Sequence, residues 1–212
     1  MKKLALSIFT FWITGMLLAQ VPGAITLNPP DLSAGLPVMK ALSLRASATE
    51  FDTAMLKISN LSNLLWAADG INRAESGKRT APSAMNAQDV DVYVVMKTGA
   101  FLYDAKLHVL KPIALGDHRK TVAGMQVNMA NAPVFCVLVS DISRFSRGQD
   151  SLKLIWAAED AGIISQNISV FCASAGLATR PRATMDVDKL RGILKLKSSQ
   201  YLMLNHPVSY KK

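Results

Sequence analysis

Residues 133–177 read PVFCVLVSDISRFSRGQDSLKLIWAAEDAGIISQNISVFCASAGL. The first eight, Pro133 to Ser140, are nearly all apolar and rich in β-branched side chains, the pattern of a strand buried on both faces. Leu152 to Leu177 contains no Pro, carries apolar residues on most sides and meets a stop at Gly176, so it reads as a long helix at the centre of the molecule. Gly162 in its middle costs about 1 kcal/mol of helix propensity relative to Ala. A close contact there, with another helix or a ligand, would explain it.

Working outward, Val90, Val92 and Val94 alternate with Asp89, Asp91 and Tyr93 in strand fashion. Lys97-Thr98-Gly99 turns the chain, Phe101 to Tyr103 returns, and His108 to Leu110 adds a third strand before Pro112, giving an antiparallel meander. Pro82 to Gln88 reads as a turn or a single helical turn. Ser59 is the expected N-cap of a helix whose Leu61, Leu64, Leu65 and Ala68 share one face and which stops at Gly70. Residues 25–46, with Pro29, Pro30, Pro37 and Gly35, are expected to form an extended arm rather than a helix. On the other side, Asp186 caps a short helix through Leu194, and Tyr201 to Leu204 forms the last strand. Helices and antiparallel strands mix without βαβ regularity, which makes the class α+β.

The length of 212 residues, with 50% hydrophobic and 18% charged side chains, suits one domain with an arm and excludes a disordered or collagen-like chain. Two Cys and three His are too few for a multi-Cys zinc site or a disulfide framework. No metal site is expected, so demanding chemistry must come from an organic cofactor or from carboxylates and hydroxyls. Lys2 and Lys3 precede the apolar run Leu4 to Ala19, with Gln20 and Pro22 after it; this is the layout of a signal peptide over residues 1–19. The run is shorter than the roughly 20 apolar residues of a spanning helix. Export to a periplasm is therefore the expected address.

The formal charge is +9, and removing residues 1–19 takes two lysines and no acid, leaving +7. Lys and Arg are scattered with no run longer than two, which suits an anionic small molecule such as a phosphate-bearing cofactor better than nucleic acid. An exported module for polyanions would rest on this charge alone. Cys136 and Cys172 read as small core residues. Export permits a disulfide, but an apolar strand and a buried helix seldom offer the required geometry. His108, His118 and His206 read as structural or solvated.

Three segments place hydroxyls, amides or cations among small residues where a planar or phosphorylated ligand can approach the backbone. Arg45-Ala46-Ser47-Ala48-Thr49-Glu50-Phe51 offers a guanidinium and a hydroxyl, groups that hold a phosphate. Gly77 to Gln88 surrounds Asn86 with small residues, leaving its carboxamide able to donate and accept at a ring edge. The third runs from Glu159-Asp160-Ala161-Gly162 through Gln166-Asn167 to Gly176 and Asp186. Taken singly, each has a plainer structural reading as a surface turn, an Asx cap or a satisfied polar group in a helix.

Taken together, the segments resemble the nitroreductase family of flavoproteins. The resemblance is carried by Arg45 and Ser47 with Phe51, Leu64-Leu65-Trp66-Ala67-Ala68 with Gly70-Ile71-Asn72-Arg73, Ala81-Pro82-Ser83 with Asn86 and Gln88, Asp160-Ala161-Gly162 with Gln166-Asn167, and Gly176-Leu177 with Pro181 and Asp186. It implies a nitroreductase-like FMN-binding domain over residues 45–212, preceded by the arm at 20–44. The implied fold is a central, mostly antiparallel sheet flanked by helices, in a homodimer with FMN at the subunit interface. It also implies ping-pong hydride transfer from NAD(P)H to nitroaromatic- or quinone-like acceptors.

By the same resemblance, Arg45, Ala46 and Ser47 hold the FMN phosphate with Lys211 or Lys212. Pro82, Ser83, Ala84, Met85 and Asn86 line the isoalloxazine ring, partly across the dimer interface, and the Ala183-Thr184 backbone donates toward flavin N5. No catalytic side chain is implied, because the flavin carries the chemistry. The sequence departs from the family pattern at Thr49, where a basic residue is common, at Asp89, where Pro is common, and at Ser209, often Gly. The rival reading is a non-enzymatic exported flavin-binding protein that keeps the fold without turnover. Its grounds are Thr49 and the distance of an exported chain from the cytoplasmic NAD(P)H pool.

Overall fold

A computed structural model describes residues 23–212. The expected signal peptide lies outside the described residues. The chain forms β1 (Ile25–Thr26), α1 (Val38–Leu44), α2 (Ile58–Asp69), β2 (Ile71–Arg73), β3 (Lys78–Arg79), β4 (Val90–Met96), β5 (Gly99–Asp104), β6 (Val109–Leu115) and α3 (Arg119–Ala123). These are followed by β7 (Val134–Asp141), α4 (Asp150–Ser174), β8 (Leu177–Thr179), α5 (Val187–Ile193) and β9 (Gln200–Tyr210). Seven strands make one sheet in the order β1-β6-β5-β4-β7-β9-β8, antiparallel at every pairing, and β2 and β3 form a separate small hairpin.

The two-residue period of the central strands builds two cores. Val134, Cys136 and Leu138 of β7 join Val90, Val92 and Val94 of β4 on the face covered by α2 and α4. Phe135, Val137 and Val139 point the other way, with Tyr93 and Val95, toward α3 and α5. All eight residues of β7 are buried, the apolar run Val134 to Val139 as expected and Ser140 and Asp141 with it. From α2, Leu61, Leu64, Leu65 and Ala68 reach the first core, and from α4 Ala161, Ile164, Ile168 and Cys172 do. Fully burying one such Leu or Ile contributes about 1.5–3 kcal/mol.

Several sequence expectations require correction. The segment 25–46 is not extended throughout, because Val38–Leu44 forms α1 and buries Ala41 against the molecule. Pro37 stands just before the first turn, where its missing N–H removes no helical bond, and the stretch after it is free of Pro and Gly. Helix α2 starts at Ile58 with Lys57 at the N-cap, so Ser59 lies inside it; Gly70 is the C-cap as expected. Strand β6 continues through Pro112 to Leu115, and β9 continues through Pro207 to Tyr210. Helix α4 ends at Ser174, and Leu177 begins β8, which pairs with the end of β9. Gly176 sits between them at φ +69°, a conformation that suits a glycine. No close contact meets Gly162 within this chain, since a Cβ there would face open space. Among the described residues, no helix is long and apolar enough to cross a membrane, and Cys136 and Cys172 are buried free thiols.

Candidate functional site

The segment after α1 leaves the helix at Arg45 in an extended conformation (φ −63°, ψ 120°) and runs beside β8. Ala48 N–H donates to Thr179 O at 2.9 Å, so this segment is anchored to the sheet edge. Asp52 N–H donates to Ser209 Oγ at 3.0 Å, and that hydroxyl donates to Tyr210 O at 2.7 Å. The side chain at 209, absent from a glycine, thus ties the segment to the end of β9. Lys57 N–H donates to Tyr210 Oη at 2.9 Å and fixes the start of α2 to the same place.

Between this segment, the C-terminal part of α4, β8 and the chain end lies a cleft of about 340 Å³. Ser169, Cys172 and Ala173 supply one wall, Leu177 to Thr179 another, and Ala46, Ala48, Thr49 and Glu50 with Lys211 and Lys212 the rest. The wall of Cys172, Ala173, Leu177 and Ala178 is apolar and buried, while both terminal lysines are exposed. Lys212 Nζ lies 3.8 Å from Glu50 Oε2; both are exposed, so the pair contributes little and yields readily to a stronger anion. Arg45 and Ser47 are exposed and adjoin the cleft through Ala46.

His206 supports this cleft from behind. It is completely buried, with Nε2 2.8 Å from Ser165 Oγ on α4 and Nδ1 3.2 Å from Thr179 Oγ1 on β8. Thr179 donates its only hydroxyl proton to Pro207 O at 2.9 Å. Nδ1 must therefore carry the imidazole proton, and Nε2 accepts from Ser165. Burial pushes the His206 pKa down to about 3, so the ring is neutral and fastens α4, β8 and β9 together.

The loop Pro82 to Gln88 lies elsewhere. It holds one 3-10 turn, Ala84–Asn86, and three non-glycine residues with left-handed backbones: Met85 (φ 55°), Asn86 (φ 54°) and Gln88 (φ 46°). Each is uncommon, at a cost of order 1–3 kcal/mol, and such residues persist only where their surroundings hold them. Here Ala84 N–H donates to both oxygens of Asp160, at 3.1 and 2.9 Å. Gln88 N–H donates to Ser83 Oγ at 2.8 Å, Gln88 Oε1 accepts from Arg79 at 3.0 Å, and Gln88 O accepts from Arg144 at 2.7 Å. Pro82, Met85 and Asn86 are exposed on this braced loop.

Ala183 and Thr184 follow Arg182, which forms a β-bridge with Asn205 through backbone bonds of 2.9 and 2.7 Å. The Arg182 guanidinium is buried and donates to Gln126 Oε1, Asn205 Oδ1 and Ala123 O at 2.7–2.9 Å. Asn205 Nδ2 in turn donates to Thr184 O at 3.1 Å. The Ala183-Thr184 backbone is thus held by two buried side chains, neither of which sequence reasoning singled out.

One chain therefore brings Ala46, Lys211 and Lys212 into a single cleft, with Arg45 and Ser47 beside it. It does not bring Pro82, Ser83, Ala84, Met85 and Asn86 there. The loop meets α4 at Asp160 and the cleft first meets it at Ser169, nine residues further on, or about 14 Å along the helix axis. The cleft's cationic mouth, exposed hydroxyl and apolar wall fit a flat molecule with an anionic tail. Among the described residues, no group of three or more His, Cys, Asp or Glu side chains is arranged to hold a metal ion.

The Nitroreductase family model matches residues 42–210, which takes in most of the cleft lining, the braced loop and every strand of the central sheet except β1. The chain belongs to the nitroreductase family. A crystal structure of a protein from Ralstonia eutropha JMP134, described as a provisional nitroreductase, superposes on this nitroreductase with a TM-score of 0.84 at 33% identity, over 92% of each chain. MJ1384 of Methanocaldococcus jannaschii, which carries a provisional nitroreductase assignment, is 27% identical over 176 residues, or 79% of this chain and 87% of that one. A Clostridium acetobutylicum structure described as a provisional NADH oxidase shares the fold at 19% identity, with a TM-score of 0.55 over 83% of this chain and 88% of its own. The expected α+β fold with a large antiparallel sheet and flanking helices is present. Family and fold together support an oxidoreductase of the flavin type in general.

Proposed function

We propose that this nitroreductase is an exported, homodimeric, FMN-dependent enzyme that uses NAD(P)H to reduce nitroaromatic- or quinone-like acceptors. The observation that carries the reading is the 340 Å³ cleft with Lys211 and Lys212 at its mouth and an apolar wall from α4 and β8. When bound, FMN would supply the hydride and electron-transfer chemistry. Lys211, Lys212 and Arg45 offset the phosphate charge, and Ser47 donates a hydroxyl hydrogen bond to it. Cys172, Ala173 and Leu177 exclude water from the adjoining wall. Asn86 of a second copy would present its carboxamide to the pyrimidine edge, and the Ala183-Thr184 backbone would donate toward flavin N5, where no side chain is needed.

A second copy also suits the exposed apolar side chains Leu152, Ile155 and Ile163 on α4 and Val38, Met39 and Leu42 on α1, which are 37–75% exposed in one chain. Export rests on the charged and apolar pattern of residues 1–19.

The test is an absorption spectrum of the purified protein, followed by NADPH oxidation with a nitroaromatic or a quinone. The reading expects yellow protein that releases FMN on denaturation and turns over. Colourless protein that also refuses added FMN would overturn it, and bound flavin without turnover for any donor would favour the non-enzymatic flavin-binding protein.

A further inference from the structure

The braced loop rests on a group of carboxylates that outnumbers its cations. Asp89, just after the loop, is fully buried; its Oδ2 accepts from Ser140 Oγ on β7, and its Oδ1 has no hydrogen-bond partner at all. Asp160 of α4 is 4% exposed and engages both oxygens with Ala84 N–H. A cavity of about 10 Å³, no larger than one water, lies among Asp69, Ser83, Gln88, Asp89 and Asp160.

The charges facing this point from each packed element are already committed. Asp69 of α2 takes Arg79 of β3 at 2.6 Å. Asp91 of β4 takes Arg144 at 2.5 Å, and Asp141 of β7 lies 4.0 Å from the same guanidinium while accepting from Ser143. Among the described residues, no cation is left for Asp89 or Asp160. Two buried carboxylates lining one water-sized cavity, without a cation, resist ionising together.

We propose that Asp89 is a positioning residue that holds one proton on Oδ1, shared with Asp160, and that this proton keeps Asp160 in place under Ala84 N–H and so keeps the loop in its left-handed form. The proton fills the one unsatisfied oxygen and turns Asp89 from a second acceptor into a donor. Burial, joined by the neighbouring Asp160 charge, pushes the Asp89 carboxyl up to about 7, so the proton is present in mildly acidic solution and is lost to solvent as the pH rises through neutrality. A Pro at this position would have no carboxyl to do this. The consequence for cofactor binding rests on the flavin reading, through Asn86 on the same loop; the proton and the loop do not depend on it.

The experiment compares the full-length wild type with Asp89→Asn and Asp160→Asn between pH 5 and 9, with and without FMN. Difference infrared spectra of the wild type should show a protonated carboxylic acid that titrates near neutrality and is missing from Asp89→Asn. The carboxamide that Asp89→Asn introduces can still accept from Ser140 and donate to Asp160, so amide exchange over residues 84–88 should stop accelerating above pH 7 relative to the wild type. In Asp160→Asn the acid should titrate at lower pH, because the neighbouring charge is gone. FMN affinity of the wild type should fall about tenfold per pH unit above the midpoint, as one-proton linkage requires, and stay flat in Asp89→Asn. A wild type without the infrared signal, or with loop exchange parallel to Asp89→Asn, overturns the inference even if FMN binds. The signal and the loop effect in a protein that refuses FMN would leave the inference standing and remove the flavin reading.

Discussion

Replacing His206 by Gln should flatten the acid side of the stability profile. In the fold the imidazole is neutral, with a pKa near 3 against an ordinary 6.5, because it is completely buried between Ser165 and Thr179. A depressed pKa contributes stability that is present above 6.5 and is lost as the pH falls toward 3, since only the unfolded chain takes up the proton on the way down. At 1.36 kcal/mol per pH unit, the loss between pH 6.5 and pH 5 is about 2 kcal/mol, and the whole interval is worth at most about 5 kcal/mol. These are large fractions of a typical net stability of about 5–15 kcal/mol. The Gln side chain can still accept from Ser165 and donate to Thr179, so the replacement removes the titration without stripping α4 and β8 of their partners. The assay is urea unfolding at pH 5, 6 and 7 at one fixed protein concentration. The wild type should lose about 2 kcal/mol more than His206→Gln between pH 7 and pH 5. Parallel profiles would refute both the neutral tautomer and the role of this ring in fastening the cleft.

Phe135→Ala should cost about 3–5 kcal/mol, because the ring is fully buried in the second core and the sheet cannot close over the space; thermal or urea unfolding checks this, and a cost below about 1 kcal/mol would contradict the burial. Arg182→Ala should destabilise by about 3 kcal/mol, leaving Asn205, Gln126 and Ala123 O without their donor. It should also speed amide exchange at Ala183 and Thr184, and unchanged exchange there would separate Arg182 from that backbone. Lys211→Ala with Lys212→Ala should leave the unfolding midpoint unchanged, since both side chains are exposed, while weakening FMN binding and flattening its salt dependence. Titration at two salt concentrations is the check, and equal affinity would place the phosphate elsewhere.

The legible parts of the fold were those where one periodicity acted alone. Strand β7 announced itself because six apolar residues in a row, Val134 to Val139, suit a strand covered on both faces, and α4 because 25 residues pass without Pro. The misread boundaries lay where a local rule met tertiary structure. Pro112 and Pro207 sit inside β6 and β9, although each lacks the N–H that ordinarily pairs in a ladder. Val38–Leu44 became helical because Ala41 finds a place against the molecule, which no window of its own sequence reveals.

For the site, Ala46 with Lys211 and Lys212 came together in one cleft from opposite ends of the chain. Arg182, Asn205, His206 and the Asp89 proton were illegible. A buried polar residue looks the same in sequence as a solvated one, and only the fold shows which oxygens and nitrogens lack water. Asn86 stood out through its small neighbours, whereas the left-handed backbone that presents it depends on Asp160, 74 residues later.

The central claim is that the site is built from Arg45 of one chain and Asn86 of another. It is tested most directly by mixing Arg45→Ala and Asn86→Ala subunits and titrating the purified mixed dimer with FMN. If the two residues belong to different chains, one site per mixed dimer is intact and the other carries both lesions, so half the wild-type stoichiometry returns at wild-type affinity. If every site in the mixed dimer binds as weakly as in the single-variant homodimers, both residues act within one chain and the account is wrong.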